Sequence, residues 1–234
     1  MEANTKAAGA DAGDGGASRS ARRGKSGYHH GDLRNALIGA AIQLAGEGGP
    51  DAVVLRAAAR RVGVSATAAY RHFESQAELL HAVKEYGQQR LVECMEAAGR
   101  EAGGDGPEPA RERVMALGRG YIRFAREEPG LYRAAFCPSF PEPVTIGEDG
   151  GLDRTAEQWG DRSFDMLTET LDELVTAGAM PRERRPGAEL SAWATVHGLA
   201  MLLVDGPLDT LDEEQVHHIT ERVLGDILTG LTAS

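Results

Sequence analysis

The stretch Leu55-Arg56-Ala57-Ala58-Ala59-Arg60-Arg61-Val62-Gly63-Val64-Ser65-Ala66-Thr67-Ala68-Ala69-Tyr70-Arg71-His72-Phe73 decides the fold. Leu55, Ala58, Ala59 and Val62 recur at helical spacing and stop at Gly63, which predicts a short helix ending there. Gly63-Val64-Ser65 reads as a tight turn, with Ser65 as N-cap of a further short helix to about His72. Ala59 is small where the two helices cross, Gly63 permits the turn, and Val62, Val64 and Phe73 close a miniature core. That is the anatomy of a helix-turn-helix, although the spacing alone also fits a helical hairpin in an ordinary α-domain.

In the helix-turn-helix reading the second helix of the pair lies in a DNA major groove, with the Ser65 hydroxyl and unpaired N–H groups toward phosphate. Thr67 and Arg71 then fall near base edges, and Tyr70 and His72 near phosphates. Arg56, Arg60 and Arg61 on the preceding helix supply backbone contacts.

Upstream, Leu33, Leu37, Ala40, Ala41 and Leu44 form one face of a helix that Gly46, Gly48, Gly49 and Pro50 end. Residues 1–27 have no apolar side chain larger than alanine beyond Met1, so a disordered arm is expected. Its last stretch carries Arg19, Arg22, Arg23 and Lys25 without an acid, as either a tail that tracks phosphates or a solvated linker. Downstream, Ser75-Gln76-Ala77-Glu78 has the pattern of a capping box opening a longer helix, which Gly103 to Pro109 breaks. Further helices are expected at about 110–127, 130–136, 153–178, 187–204 and 212–231, with a Pro/Gly-rich loop from Cys137 to Gly151 that reads as a mobile flap. No segment has a convincing strand pattern. The chain therefore reads as all-α, with an arm (1–27), a helix-turn-helix domain (28–75) and a larger helical domain (76–234).

The net charge of −11 argues, taken whole, against a nucleic-acid partner. Averaging hides an asymmetry. Residues 17–72 hold nine basic residues against three acids, +6, whereas residues 91–234 hold 13 against 27, −14. A basic N-terminal part and an acidic remainder imply two jobs on one chain.

Other classes find little support in the 234 residues. No window approaches the roughly 18–20 apolar residues of a membrane span and no apolar secretion segment opens the chain, so a cytoplasmic, non-membrane protein is expected. Cys94 and Cys137 read as reduced packing residues. His29-His30 and His217-His218 are adjacent pairs, which cannot both face one metal from a helix, and neither Cys-x-x-Cys nor Gly-x-x-x-x-Gly-Lys occurs. No catalytic residue, metal or cofactor is expected.

Three runs carry a specific resemblance: His30-Gly31-Asp32-Leu33-Arg34-Asn35-Ala36-Leu37, then Ala59 to Ser65, then Ala69-Tyr70-Arg71-His72-Phe73-Glu74-Ser75-Gln76-Ala77-Glu78-Leu79-Leu80. Together with the Tyr28-His29-His30-Gly31 opening, they resemble the DNA-binding domain of the TetR/AcrR family of bacterial regulators over residues 28–80. The resemblance implies a three-helix DNA-binding domain, to whose contact set Tyr28 and His29 belong. Behind it comes an all-helical domain for ligand binding and dimerisation, and repression of a DNA operator relieved by a small molecule. Two departures stand out. Gln76 occupies a place where many members carry a phosphate-facing lysine, and Ala66, Ala68 and Ala69 leave few hydrogen-bonding side chains for base readout, so DNA shape carries part of the discrimination.

Trp193-Ala194-Thr195-Val196-His197-Gly198 resembles the signature of the WHG-type regulatory domain within that family. Trp193 and His197 share a helix face, and Gly198 beside them would allow a close helix approach. His197 is either a ligand contact or a satisfied core histidine. Eight of the twelve aromatic residues lie from Tyr121 to Trp193. Tyr121, Phe124, Phe136, Trp159, Phe164, Trp193, His197 and Met201 are the candidates for lining an apolar pocket, with plain core as the other reading. On the last helix Val216, Ile219, Val223, Ile227 and Leu231 share one side, and Leu190, Ala194 and Val204 add to it from the helix before. These are either buried internally or form a four-helix interface between two copies, which the resemblance favours. The expected protein is a homodimeric, ligand-responsive repressor of a palindromic operator, released by a small hydrophobic effector. The alternative is an α-helical adaptor without specific DNA binding.

Overall fold

The computed structural model describes residues 30–100, 102, 104–137, 147 and 162–233. These form nine α-helices and no strand: α1 (His30–Gly48), α2 (Leu55–Val62), α3 (Ala66–Ala69), α4 (Gln76–Gly99), α5 (Pro107–Glu127), α6 (Pro129–Ala135), α7 (Arg162–Thr176), α8 (Ala188–Val204) and α9 (Glu213–Thr232). The basic arm with Tyr28 and His29, the loop from Cys137 to Gly151 apart from its first residue and Gly147, and Trp159 with the start of the helix expected at 153–178 lie outside the described residues.

Local chemistry sets the first three helices. Gly63 ends α2 with φ 78° and ψ 28°, a left-handed conformation that glycine adopts without Cβ strain. Ser65 caps α3, its hydroxyl oxygen accepting from the Ala68 N–H at 3.2 Å. Beyond Ala69 the chain tightens: the Arg71 and His72 N–H groups bond carbonyls three residues back. The helix expected to reach His72 is thus α-helical only to Ala69. Ser75 caps α4 by accepting from the Glu78 N–H at 3.1 Å, as the pattern predicts. The return arm differs by one residue: the Glu78 carboxylate accepts from the Glu74 N–H at 2.8 Å and not from that of Ser75. Its other oxygen takes the Arg34 guanidinium at 3.3 Å, which also lies 4.6 Å above the Phe73 ring, tying α1 to α4.

Phe73 is fully buried among Leu37, Ala41, Leu55, Ala59 and Leu79, and Val62 and Val64 pack against the same core. Removing such a ring from water contributes about 1.5–3 kcal/mol. This core runs on without a break through Leu91, Leu117, Phe124 and Tyr132 to Leu199, Val216 and Leu224. A smaller cluster of Ala110, Leu171, Leu174, Met180, Leu228 and Leu231 closes the far end.

Helix α5 packs against α4, α6, α7, α8 and α9. Close approach, not flexibility, fixes its glycine: a Cβ on Gly120 would sit 2.7 Å from both the Cys94 carbonyl oxygen and the Met95 Cα of α4. Likewise, a Cβ on Gly130 of α6 would sit 2.1 Å from the Ala45 carbonyl oxygen and 2.9 Å from the Gly46 Cα of α1. Gly198 behaves otherwise than expected, because it is exposed and a Cβ there would meet nothing within 4 Å. Among the described residues, no helix crosses closely at that point.

Helix α9 turns Val216, Thr220, Leu224, Leu228 and Leu231 inward, with Ile219, Val223 and Ile227 partly buried against the two cores. The apolar stripe read as a possible interface is therefore largely covered by this chain's own helices. The large apolar side chains exposed on α8 are Met201 and Leu202, 42% and 44% accessible.

Candidate DNA-binding surface and regulatory cluster

On the turn formed by α2 and α3, Ser65, Thr67, Tyr70, Arg71 and Arg56 are all exposed, while His72 is half-buried. Tyr70, at 48% accessibility, is a large ring held out in water next to Arg71 in the chain, outside the core. Arg56 and Arg60 are exposed on the neighbouring α2 and form no ion pair among the described residues. Arg61 differs. Its guanidinium grips Glu47 of α1 in a two-pronged pair, at 2.9 and 2.8 Å, which lowers the Glu47 pKa and joins α2 to α1. A phosphate-contact role for Arg61 would require breaking that pair.

In the larger domain, the structure brings Tyr121, Phe136, Trp193 and His197 together. Trp193 stacks on His197 at 5.2 Å between ring centroids, one turn apart on α8 as the spacing predicts. Phe136 meets the same imidazole at 5.0 Å. The Tyr121 hydroxyl lies 2.8 Å from Nδ1 of His197, and a second hydroxyl, from Tyr132, lies 3.2 Å from the same nitrogen. Phe124 stands behind, fully buried against the Tyr132 ring at 6.4 Å. Phe164 is buried at the start of α7, and Met201 points away to the exposed face of α8. Tyr132 is the residue that sequence reasoning left out of the pocket set. Its signal in the sequence is its place one helical turn before the pocket candidate Phe136.

Burial lowers the His197 pKa, so the imidazole is neutral near pH 7. With Nδ1 accepting from Tyr121, the ring proton sits on Nε2, and no hydrogen-bond partner for Nε2 occurs among the described residues. The arrangement is a small polar centre inside an aromatic wall, which suits an organic ligand carrying one acceptor. The same burial pushes the Tyr132 hydroxyl far above the usual phenol range, so it remains a donor at any working pH.

A pH prediction follows from His197. Its folded pKa lies below the ordinary value of 6.5, so as pH falls through 6.5 the unfolded chain takes up the proton first. Stability is full above 6.5 and declines until pH passes the lowered folded value. The urea midpoint should fall between about pH 7.5 and pH 5, and fall less in His197→Phe. Equal declines in the two proteins would show that His197 does not report this burial.

Helix α6 links the two regions. Tyr132 on one side of it reaches His197, and Gly130 abuts the end of α1. Arg133 pairs with Asp205 after α8 at 2.7 Å, fixing the other flank. Against α4, the Gly87 position leaves a Cβ only 3.0 Å from Ala135 of α6. These close approaches leave α6 no room to move toward α1 or α4 unless those helices also move.

Neither Cys94 nor Cys137 forms a disulfide among the described residues, and burial raises the pKa of the Cys94 thiol. Among the described residues, no three His, Cys, Asp or Glu side chains gather as a metal site, and no helix is long and apolar enough to cross a membrane.

Comparison with known proteins places both regions. Residues 37–83 match the family model for bacterial regulatory proteins of the tetR family, and residues 114–227 match that for the tetracyclin repressor-like C-terminal domain. The second match is to that domain description and lends no support to the WHG subtype. A solved Rhodococcus sp. RHA1 protein described as of unknown function is 30% identical, covering 89% of this chain and 100% of its own, with a TM-score of 0.67. The nucleoid occlusion factor SlmA of Marinobacter nauticus is 27% identical over 151 residues, 64% of this chain and 72% of that one. The TetR-Q116A protein of Acinetobacter baumannii AYE, solved in complex with minocycline, shares the fold at 18% identity and a TM-score of 0.55, over 86% of this chain and 98% of its own. With its helix-turn-helix, its all-helical C-terminal domain and both family matches, the chain belongs to the TetR family of bacterial transcriptional regulators, DNA-binding proteins and not enzymes.

Proposed function

We propose that this regulator is a homodimeric repressor that a small, largely hydrophobic effector releases from a palindromic operator. Thr67, Tyr70 and Arg71 would meet the DNA, with Ser65, His72 and Arg56 positioning the backbone and Tyr28 and His29 extending the contact. The effector would sit at the rings of Tyr121, Phe136, Trp193 and His197, with Phe124, Trp159 and Phe164 as further walls.

One observation carries the reading: α6 holds Tyr132 against His197 at one face and Gly130 against α1 at another. A ligand entering the aromatic cluster displaces Tyr132 or Phe136, and α6 passes that displacement to α1 and thus to α2 and α3. The ligand acts only through its different affinities for the DNA-competent and DNA-incompetent arrangements. Moving the population from 1:99 to 99:1 takes a preference of about 5.5 kcal/mol. The minocycline complex of the Acinetobacter baumannii relative supports a small organic molecule as the effector class.

Dimerisation supplies the second half-site. Ala194, Gly198, Met201 and Leu202 are exposed along α8 and form an apolar, partly small-residue strip suited to a second copy. Light scattering at micromolar concentration should give a dimer mass for the wild type, and Leu202→Asp should shift it toward the monomer. A monomeric wild type would remove the dimer and with it the palindrome.

The function itself is tested by a mobility shift on the DNA upstream of the chain's own gene, repeated with a panel of hydrophobic small molecules. A retarded band that a panel member abolishes is expected. A band that unrelated DNA competes away as well as the fragment itself would mark a non-specific binder, and no band at all would favour the adaptor.

A further inference from the structure

On the side of α5 away from the aromatic cluster, a groove of about 340 Å³ runs between α5 and the first turns of α9. Arg119, Arg123 and Arg126 line it from α5, and His217 and Thr220 from α9, over an apolar patch of Ile122 and Val216. This gathering of cationic side chains lies in the part of the chain whose net charge is −14. Glu127 and Glu213 complete the lining, both exposed at the rim. Arg119 is already neutralised, its guanidinium held by Glu221 at 2.6 and 2.8 Å and by Glu112. Arg123 and Arg126 are held less firmly. Arg123 gives one N–H to the Cys94 carbonyl oxygen at 3.1 Å, and Arg126 has only long contacts of 3.4–3.5 Å to the Leu203 and Leu211 carbonyls and to Glu213.

Two polar atoms beneath the groove have no partner: Nε of Arg126 and Oγ1 of Thr220. Thr220 is 96% buried by its 4% accessibility, and it departs from its neighbours. Thr168, Thr170, Thr176, Thr195, Thr229 and Thr232 each donate to the carbonyl four residues back, at 2.7–3.0 Å. Thr220 makes no such bond. Leaving a buried donor unsatisfied is costly, and natural structures keep such atoms rare unless something answers them. The Arg126 guanidinium, held only by its long contacts, lines the groove together with Thr220 and Arg123.

We propose that this groove is a second ligand site, separate from the aromatic cluster, which takes a small carboxylate-bearing molecule. The carboxylate accepts from the Arg126 fork and the Thr220 hydroxyl, Arg123 supplies the balancing charge, and a short apolar body lies on Ile122 and Val216. A guanidinium fork matches two carboxylate oxygens, whereas a neutral amide of the same shape offers one acceptor and no charge.

The test uses benzoate as probe and benzamide as its neutral control, with the full-length protein and both calorimetry and thermal unfolding as readouts. Benzoate should bind and raise the melting temperature, and benzamide should do neither. Thr220→Val is nearly isosteric and removes an unpartnered hydroxyl, so it should melt no lower than wild type without ligand, yet bind benzoate at least tenfold more weakly. Arg126→Met should lose the binding as well, and His197→Phe should retain it, which separates this site from the effector cluster. Absence of benzoate binding, equal binding of benzamide, or undiminished binding in both Thr220→Val and Arg126→Met would overturn the proposal.

Discussion

Replacing Tyr70 and Arg71 together by alanine should abolish specific DNA binding while leaving the protein folded. Both side chains are exposed beside the end of α3, and neither belongs to the core. A good side-chain contact to a base or its flanking phosphate is worth about 1–3 kcal/mol, and a dimer loses each contact twice. A total of about 4 kcal/mol or more corresponds to roughly a thousandfold weaker binding. Fluorescence anisotropy on the operator fragment measures this loss, and helical circular dichroism with the melting temperature checks that the fold is unchanged. Wild-type affinity in the double variant would take the DNA contacts away from this turn.

Gly130→Ala should be among the most damaging single-methyl changes in the chain. The added Cβ would lie 2.1 Å from the Ala45 carbonyl oxygen and 2.9 Å from the Gly46 Cα, which are backbone atoms that no rotamer change can move aside. Helix α6 must then back away from α1. Overpacking of this kind costs about 1–3 kcal/mol and more where backbone resists, so a loss of about 3 kcal/mol in chemical denaturation is expected. Gly39→Ala on the exposed face of α1 is the matched control. Its Cβ would meet nothing within 4 Å, and the gain in helix propensity should stabilise by about 0.5–1 kcal/mol. If α6 transmits the effector signal, Gly130→Ala should also weaken operator binding without any ligand. Equal stabilities for the two variants would show that α1 and α6 are not in contact at this point.

The parts legible in the sequence were those set by neighbours along the chain. Gly63 as a turn, Ser65 and Ser75 as caps, and the stacking of Trp193 on His197 depend on residues within one or two helical turns, and such spacing can be read directly. Contacts between distant segments were not legible. Nothing local to Tyr132 announces that its hydroxyl will share Nδ1 of His197 with Tyr121, because α5, α6 and α8 must first assemble. The same holds for the Arg61–Glu47 pair, which removes a cation that charge counting had assigned to DNA. An apolar stripe states that something covers it and leaves open what. The stripe on α9 is covered from within, while Met201, chosen for the pocket, faces outward on α8. Gly198 is expected from its spacing to permit a close crossing, and the crossings occur instead at Gly87, Gly120 and Gly130, whose partners lie at least 25 residues away along the chain.

The acidic balance of the larger domain fits the same division of labour. In the proposed mode of action a domain of net −14 would repel a polyanion and keep sequence-independent binding weak, so that affinity would rest on two matched half-sites read by a small basic surface.

The central claim is that α6 couples the cluster around His197 to a DNA-reading turn at Thr67, Tyr70 and Arg71. The most direct measurement is operator affinity as a function of effector concentration, by anisotropy, for the wild type and for Tyr132→Phe, which keeps the ring and removes the hydroxyl that reaches His197. The account predicts that effector weakens wild-type binding to the operator and that Tyr132→Phe, still binding operator, responds with a clearly altered effector dependence. An operator affinity that no ligand occupying the cluster changes, in either protein, would contradict it.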